Sequence, residues 1–187
     1  MSGNIPERAQ VHARVLVGAI GPSYSGLIQA DFDIYRRNYR AVDRITFECV
    51  ADLFQAIERA YDIVHLFIPL ASGGRLLHAD RALVGGDLIA KCCECGVKVL
   101  WIANENQPDD YVRGFRAAGQ KINVVMTILR NGSNFDEFLQ RLLDRVSAGA
   151  TFVSAWTALV PQTQGDWQAR LPSCVFFAGK PDAQLFA

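Results

Sequence analysis

The chain has 187 residues, 50% of them hydrophobic, enough apolar material for one domain with a sizeable core. Lys plus Arg balances Asp plus Glu at 19 each, so the sequence lacks the net positive field that nucleic-acid or anionic-membrane binding calls on. No charged start precedes an apolar signal core, and no apolar run approaches the roughly 20 residues of a membrane span; a cytoplasmic protein is expected.

Residues 1–12 are polar and read as a flexible lead-in, with a single domain over 13–187. "ARVLVGAIG" (Ala13–Gly21) is a β-branched run stopped by glycine and proline, hence a strand. "ADFDIYRRNYRAV" (Ala30–Val42) carries apolar residues at 32, 35, 39 and 42, the spacing of a helix face. "RITFECV" (Arg44–Val50) reads as the second strand, and Asp52 as the cap of a helix with Leu53, Phe54 and Ile57 on one side. "DIVHLFIPL" delivers a buried third strand to a small-residue loop and an irregular insert containing "RLLHADRALV".

"DLIAKCCECG" is predicted to be a helix closed by Gly96, "VKVLWIA" (Val97–Ala103) a strand, and "PDDYVRGFRAAG" a helix with proline in its first turn. "KINVVMTIL" (Lys121–Leu129) is a fifth strand. The clearest helix follows, with Ser133 and Asp136 at capping-box spacing and one stripe of Phe135, Phe138, Leu139, Leu142, Leu143 and Val146 up to Gly149. "TFVSAWTALV" is a further helix, and "SCVFFAG" a last short strand. Strands alternate with helices from end to end, which predicts an α/β fold: a three-layer αβα sandwich around a mostly parallel sheet of about six strands.

From Tyr61 onward the order of features resembles the CHAT domain, a caspase-like module of the clan CD cysteine peptidases. That family has a histidine-bearing strand of the form "DILHFAGHG", a strand "LVVLSAC" ending in the nucleophilic cysteine, two helices, and a proline-preceded final strand. Here "DIVHLFIPL", "VKVLWIANE", "NFDEFLQRLLDRVSAG", "TFVSAWTAL" and "LPSCVFFAG" follow in the same order over about two thirds of the chain. Matched residue by residue, Pro69 stands where the catalytic histidine would, and Ala103, or with a one-residue slip Asn104, where the cysteine would. A cysteine peptidase needs a thiolate and an imidazole within hydrogen-bond reach, and neither proline nor alanine supplies one. The resemblance therefore implies a caspase-like fold without its dyad. Trp101, one or two places before the lost nucleophile, is expected to fill the pocket that a substrate side chain would occupy.

Other residues offer little replacement chemistry. His65 lies inside its strand and faces a layer rather than the rim, as a satisfied core histidine does. His78 in the insert has no evident nucleophile nearby. Cys92, Cys93 and Cys95 lack C-x₂-C spacing and a second Cys/His pair, so no metal is expected. They also precede their strand, roughly 20 Å from its far edge. Cys49 sits near the second strand's end, and Cys174 opens the last strand.

The rim of the sheet offers a possible ligand site from "GAIGPSYSG", with Ser23 and Ser25, and from "NENQPDD", with Glu105, Asp109 and Asp110, beside Arg130 after the fifth strand. The glycine loop is neither G-x-G-x-x-G nor a Walker sequence, since it lacks the lysine and its helix is expected to start too late.

Two functions follow as expectations. The first is a catalytically inactive CHAT-like domain acting as a protein-interaction or regulatory scaffold, for which the resemblance implies a bacterial signalling or defence complex. Its partner would be a second copy or an effector such as an active peptidase, without cofactor, nucleic acid or membrane. Strand pairing through Val175, Phe176 and Phe177 would form the interface. The second is a small-molecule or nucleotide-binding domain that uses the rim.

Overall fold

A computed structural model describes residues 11–68, 70–71, 75–76, 85–103, 121–129, 132–159, 173–179 and 185. Strand β1 (Val11–Ile20) begins two residues before the predicted domain start, because Val11 already pairs with Tyr39. A short 3-10 turn (Pro22–Tyr24) then runs directly into helix α1 (Ser25–Asn38). The helix buries Ile28, Asp31, Ile34, Tyr35 and Asn38 on one face. It ends in Tyr39, whose extended backbone opens strand β2 (Tyr39–Phe47) with no loop between.

This corrects the helix expected over 30–42 and the strand expected over 44–50. Tyr39 and Val42 match a helical period by coincidence, and their actual environment is the ladder with β1. Gly18 lies within β1 rather than after it. A Cβ there would stand 2.7 Å from Phe47 Cε2 and 3.3 Å from the Ile45 carbonyl oxygen, so only glycine admits the close approach of β2.

Helix α2 (Val50–Ile57) is preceded by Cys49 at its N-cap, and Asp52 stands in its first turn rather than at the cap. Strand β3 (Ile63–Phe67) is buried at every position, as expected of a parallel strand covered on both faces. The insert after it is not wholly irregular: β4 (Leu70–Ala71) and β5 (Arg75–Leu76) pair as a small antiparallel ribbon. Helix α3 (Gly85–Glu94) ends as predicted at Gly96, which has φ 77°. The Val97 N–H donates to the Cys92 carbonyl and the Gly96 N–H to that of Cys93, the pair of bonds that closes a Schellman cap.

Strands β6 (Val99–Ile102) and β7 (Asn123–Leu129) follow, then helices α4 (Gly132–Ser147) and α5 (Phe152–Leu159) and strand β8 (Ser173–Phe177). All six apolar residues of the stripe predicted for α4 are buried, and Gly149 closes the helix as Gly96 closes α3. The helix expected over 108–119 lies outside the described residues.

The main sheet has six strands in the order β2-β1-β3-β6-β7-β8, parallel except for β8, which runs antiparallel to β7. Alternate residues feed two apolar layers. Val15, Val17, Phe67, Trp101 and Val125 meet α1, α4 and α5 on one face. Leu16, Val64, Leu66, Leu100 and Met126 meet α2 and α3 on the other. The predicted three-layer α/β sandwich is the observed architecture.

A polar clamp closes the amino-terminal edge of the sheet. Asp62 accepts from the Arg14 N–H at 2.9 Å and pairs with the Lys98 ammonium at 2.9 Å. Asp43 accepts from Tyr61 Oη at 2.6 Å and from the Arg14 guanidinium at 3.0 Å, while Arg14 lies 4.7 Å from the Tyr61 ring centroid. These contacts fasten β1, β2, β3 and β6 together at the edge opposite the rim loops.

Candidate functional site

Strands β3 and β6 are neighbours, and their carboxyl ends reach the same rim. Leu66 pairs with Ile102, and the next amide, Ala103 N–H, donates to the Leu66 carbonyl at 2.8 Å. The side chains ending these strands are Ile68 and Ala103, each 1% exposed. Of the positions that the resemblance matched to a dyad, the structure describes Ala103 alone, and it is buried hydrocarbon. Pro69 and Asn104 lie outside the described residues.

His65 occupies the middle of β3 and is fully buried. Its Nδ1 lies 3.0 Å from Tyr35 Oη and its Nε2 lies 3.0 Å from Asp31 Oδ2, both partners coming from α1. The Nε2–Asp31 contact is close but outside hydrogen-bond geometry, and in the Nε2–H tautomer Nδ1 accepts from the Tyr35 hydroxyl. Burial, reinforced by Tyr39 and Asp31, raises the Tyr35 pKa far above the ordinary phenol range and keeps this hydroxyl a donor. The imidazole stacks on Trp101 with ring centroids 5.2 Å apart and planes 13° apart.

From Trp101 the polar line continues. Its Nε1–H donates to Thr127 Oγ1 at 3.2 Å, and Cys174 Sγ lies 3.8 Å from the same oxygen. A seam of Asp31, Tyr35, His65, Trp101, Thr127 and Cys174 thus crosses the α1-side layer from β3 to β8. Trp101 is fully buried within it, against Phe135 and Trp156, and lines no open cleft.

This seam does not make a catalytic pair. Three strand steps separate His65 from Cys174, about 14 Å at the usual strand spacing. Cys92 is buried in the opposite layer, where desolvation drives its thiol pKa far up. Cys93 and Cys95 pack partly against that layer, and Cys49 stands at the start of α2. Among the described residues no histidine and cysteine meet in a groove, and no three of His, Cys, Asp and Glu gather at metal-binding distance. His78 lies outside the described residues.

The other half of the rim is the turn after β1. Gly21, at φ 78°, donates its N–H to the Phe47 carbonyl, and Tyr24 packs over Phe67 with centroids 5.7 Å apart. Ser23 and Ser25 are exposed at this turn. The helix starts at Ser25, earlier than expected, so its first N–H groups stand at the junction. Since β2 and β3 flank β1, the loops after β1 and β3 diverge here, the place where open α/β sheets hold ligands. Glu105, Asp109, Asp110 and Arg130 lie outside the described residues, so the structure describes only the serine half of that rim.

Strand β8 is the outermost strand on its side among the described residues. Phe176 packs against Phe152 and Trp156 at centroid distances of 5.4 and 5.2 Å, and Phe177 packs against the α2/α3 layer. Both rings are partly buried in their own chain, and the backbone of Val175 pairs with Met126.

Sequence reasoning placed His65 in a layer but missed Asp31 and Tyr35 as its partners. The available signal was a carboxylate at spacing three and seven from Ile28 and Asn38, inside an apolar helix face. Comparison with protein-family models finds none that matches the chain, and comparison with curated proteins likewise finds no match.

Proposed function

We propose that the chain is a catalytically silent CHAT-like domain that works by holding other proteins, as a homo-oligomer or as a heteromer with an effector or active peptidase. One observation supports the silent half of this reading: Ala103, matched to the nucleophile at the end of β6, is a buried methyl beside the end of β3. An antiparallel final strand that follows two helices and closes one side of the sheet fits the order of features behind the resemblance. Binding is assigned to the outer side of β8, the outermost strand on its side among the described residues, where an added strand would extend the sheet. Because Phe176 and Phe177 serve their own core, affinity there comes from main-chain bonds more than from these rings.

The test uses proline at two adjacent edge positions, Cys174→Pro and Val175→Pro. Neighbouring residues of an edge strand turn their N–H groups alternately inward and outward, so one variant keeps the ladder to β7 and removes an outward donor. Light scattering is expected to give a mass above the 20.6 kDa protomer for the parent and the protomer mass for the variant that stays folded. A parent that stays at protomer mass removes the homo-oligomer. Peptide hydrolysis by the parent that disappears on Cys49→Ala overturns the silent reading.

A second reading is favoured by the start of α1 at the diverging loops: a nucleotide or small anion held at Ser23 and Ser25. A thermal-shift screen with nucleotides and magnesium decides it, since a ligand at 100 times its Kd adds about 2.7 kcal/mol.

A further inference from the structure

The seam of the α1-side layer is also a run of oxidisable rings. Trp156 of α5 is 9% exposed, and its ring centroid lies 6.1 Å from that of the fully buried Trp101. Trp101 is the ladder partner of His65, which sets indole and imidazole in a near-parallel stack with centroids 5.2 Å apart. Beyond the imidazole, Nδ1 stands 3.0 Å from Tyr35 Oη on α1. The run therefore leads from the margin of the core to a phenol that is 1% exposed.

Its inner end is arranged to move a proton. A phenol that loses an electron becomes a strong acid, so the radical settles there only where a base takes the proton at once. Tyr35 meets such a base. Asp31 Oδ2 stands 3.0 Å from His65 Nε2, and a bare nitrogen there would face the carboxylate with its lone pair, so the ring favours the Nε2–H tautomer. Nδ1 is then the basic atom opposite the Tyr35 hydroxyl, and the imidazolium formed when it takes the proton lies beside a negative charge. Before oxidation the hydroxyl keeps its proton, because burial lifts its pKa well above the ordinary phenol range.

We infer that this layer is a one-electron redox route, in which an oxidising equivalent received at Trp156 comes to rest as a neutral radical on Tyr35. The substrate class is a small one-electron oxidant, X•. It takes an electron from Trp156 and leaves as X⁻. Trp101 refills Trp156, Tyr35 refills Trp101 across the stacked imidazole, and the Tyr35 proton passes to His65 Nδ1. In sum, X•, the phenol and the neutral imidazole give X⁻, the phenoxyl radical and the imidazolium. One electron and one proton have moved. Nothing in this route depends on the chain acting as an interaction module.

Pulse radiolysis of the whole chain, with the azide radical as X•, tests it. The indolyl absorption formed first is expected to decay at a rate independent of protein concentration, while phenoxyl absorption grows at the same rate. In deuterium oxide that growth should slow, because the proton moves with the electron. Tyr35→Phe, which keeps the ring in its layer, should abolish most of the growth, whereas Tyr61→Phe in the other layer should leave it unchanged. Three results would overturn the proposal: no coupled growth in the parent, an unchanged rate in deuterium oxide, or full growth in a folded Tyr35→Phe protein. The first two are read on the parent and hold whether or not the variant folds.

Discussion

His65 shares one buried site with an acid and a phenol, and each of the three depends on the others. Removing Asp31 leaves the imidazole without its carboxylate in a dry layer, a loss of about 3–5 kcal/mol where a buried pair is broken. Removing only the Tyr35 hydroxyl orphans Nδ1 and costs about 1–3 kcal/mol. We predict that order for Asp31→Ala and Tyr35→Phe in urea unfolding. The double variant Asp31→Leu with His65→Leu should lose less than Asp31→Ala, because no polar atom is then stranded. An Asp31→Ala protein within about 0.5 kcal/mol of the parent would mean that the contact contributes nothing. A lone histidine inside an apolar strand tells a reader that a partner must exist. It does not tell where the partner comes from, since Asp31 and Tyr35 lie more than thirty and about thirty residues away in sequence.

Among the elements, the clamp at the amino-terminal edge of the sheet sets a pH dependence. The Tyr61 hydroxyl, and after it Arg14, hold the Asp43 carboxyl below its usual range. A depressed carboxyl contributes stability that is present above its unfolded pKa and disappears as pH falls through the folded one. Burial, then the bond to Asp43, pushes Tyr61 up to about 12, so its contribution persists at neutral pH and fades as pH rises past its unfolded value towards that figure. We predict that Asp43→Asn flattens the acid limb of the melting temperature against pH below about pH 5, while Tyr61→Phe also removes the alkaline decline. An acid limb of unchanged slope in Asp43→Asn would refute the assignment. Elements with punctuation were legible in the sequence: Gly96 and Gly149 end α3 and α4 where expected. The α1–β2 boundary was not, because Asn38 and Tyr39 carry no glycine or proline, and pairing with β1 overrides the local period.

For the molecule as a whole, alternation of strand and helix revealed the layers, whereas strand order and the reversed direction of β8 arise from pairing between distant segments, which no local pattern encodes. The candidate rim was legible only as loop composition, and the first part of β2, Tyr39 to Val42, was hidden by its assignment to a helix. Both apolar layers hang on one sheet, so neither can melt alone. Trp101 and Trp156 report on one layer and the buried thiol of Cys92 on the other. We predict that tryptophan emission and Cys92 labelling give coincident urea transitions; separated midpoints would reveal a layer that opens by itself.

The direct passage from α1 into β2 limits how this protein can change. Side chains on a strand switch faces with every residue, so inserting or deleting one residue between Tyr35 and Val42 would carry Val42 away from the α1-side layer and bring Ala41 or Asp43 into its place. With no spare loop to absorb the shift, this stretch accepts altered identities far more readily than altered length.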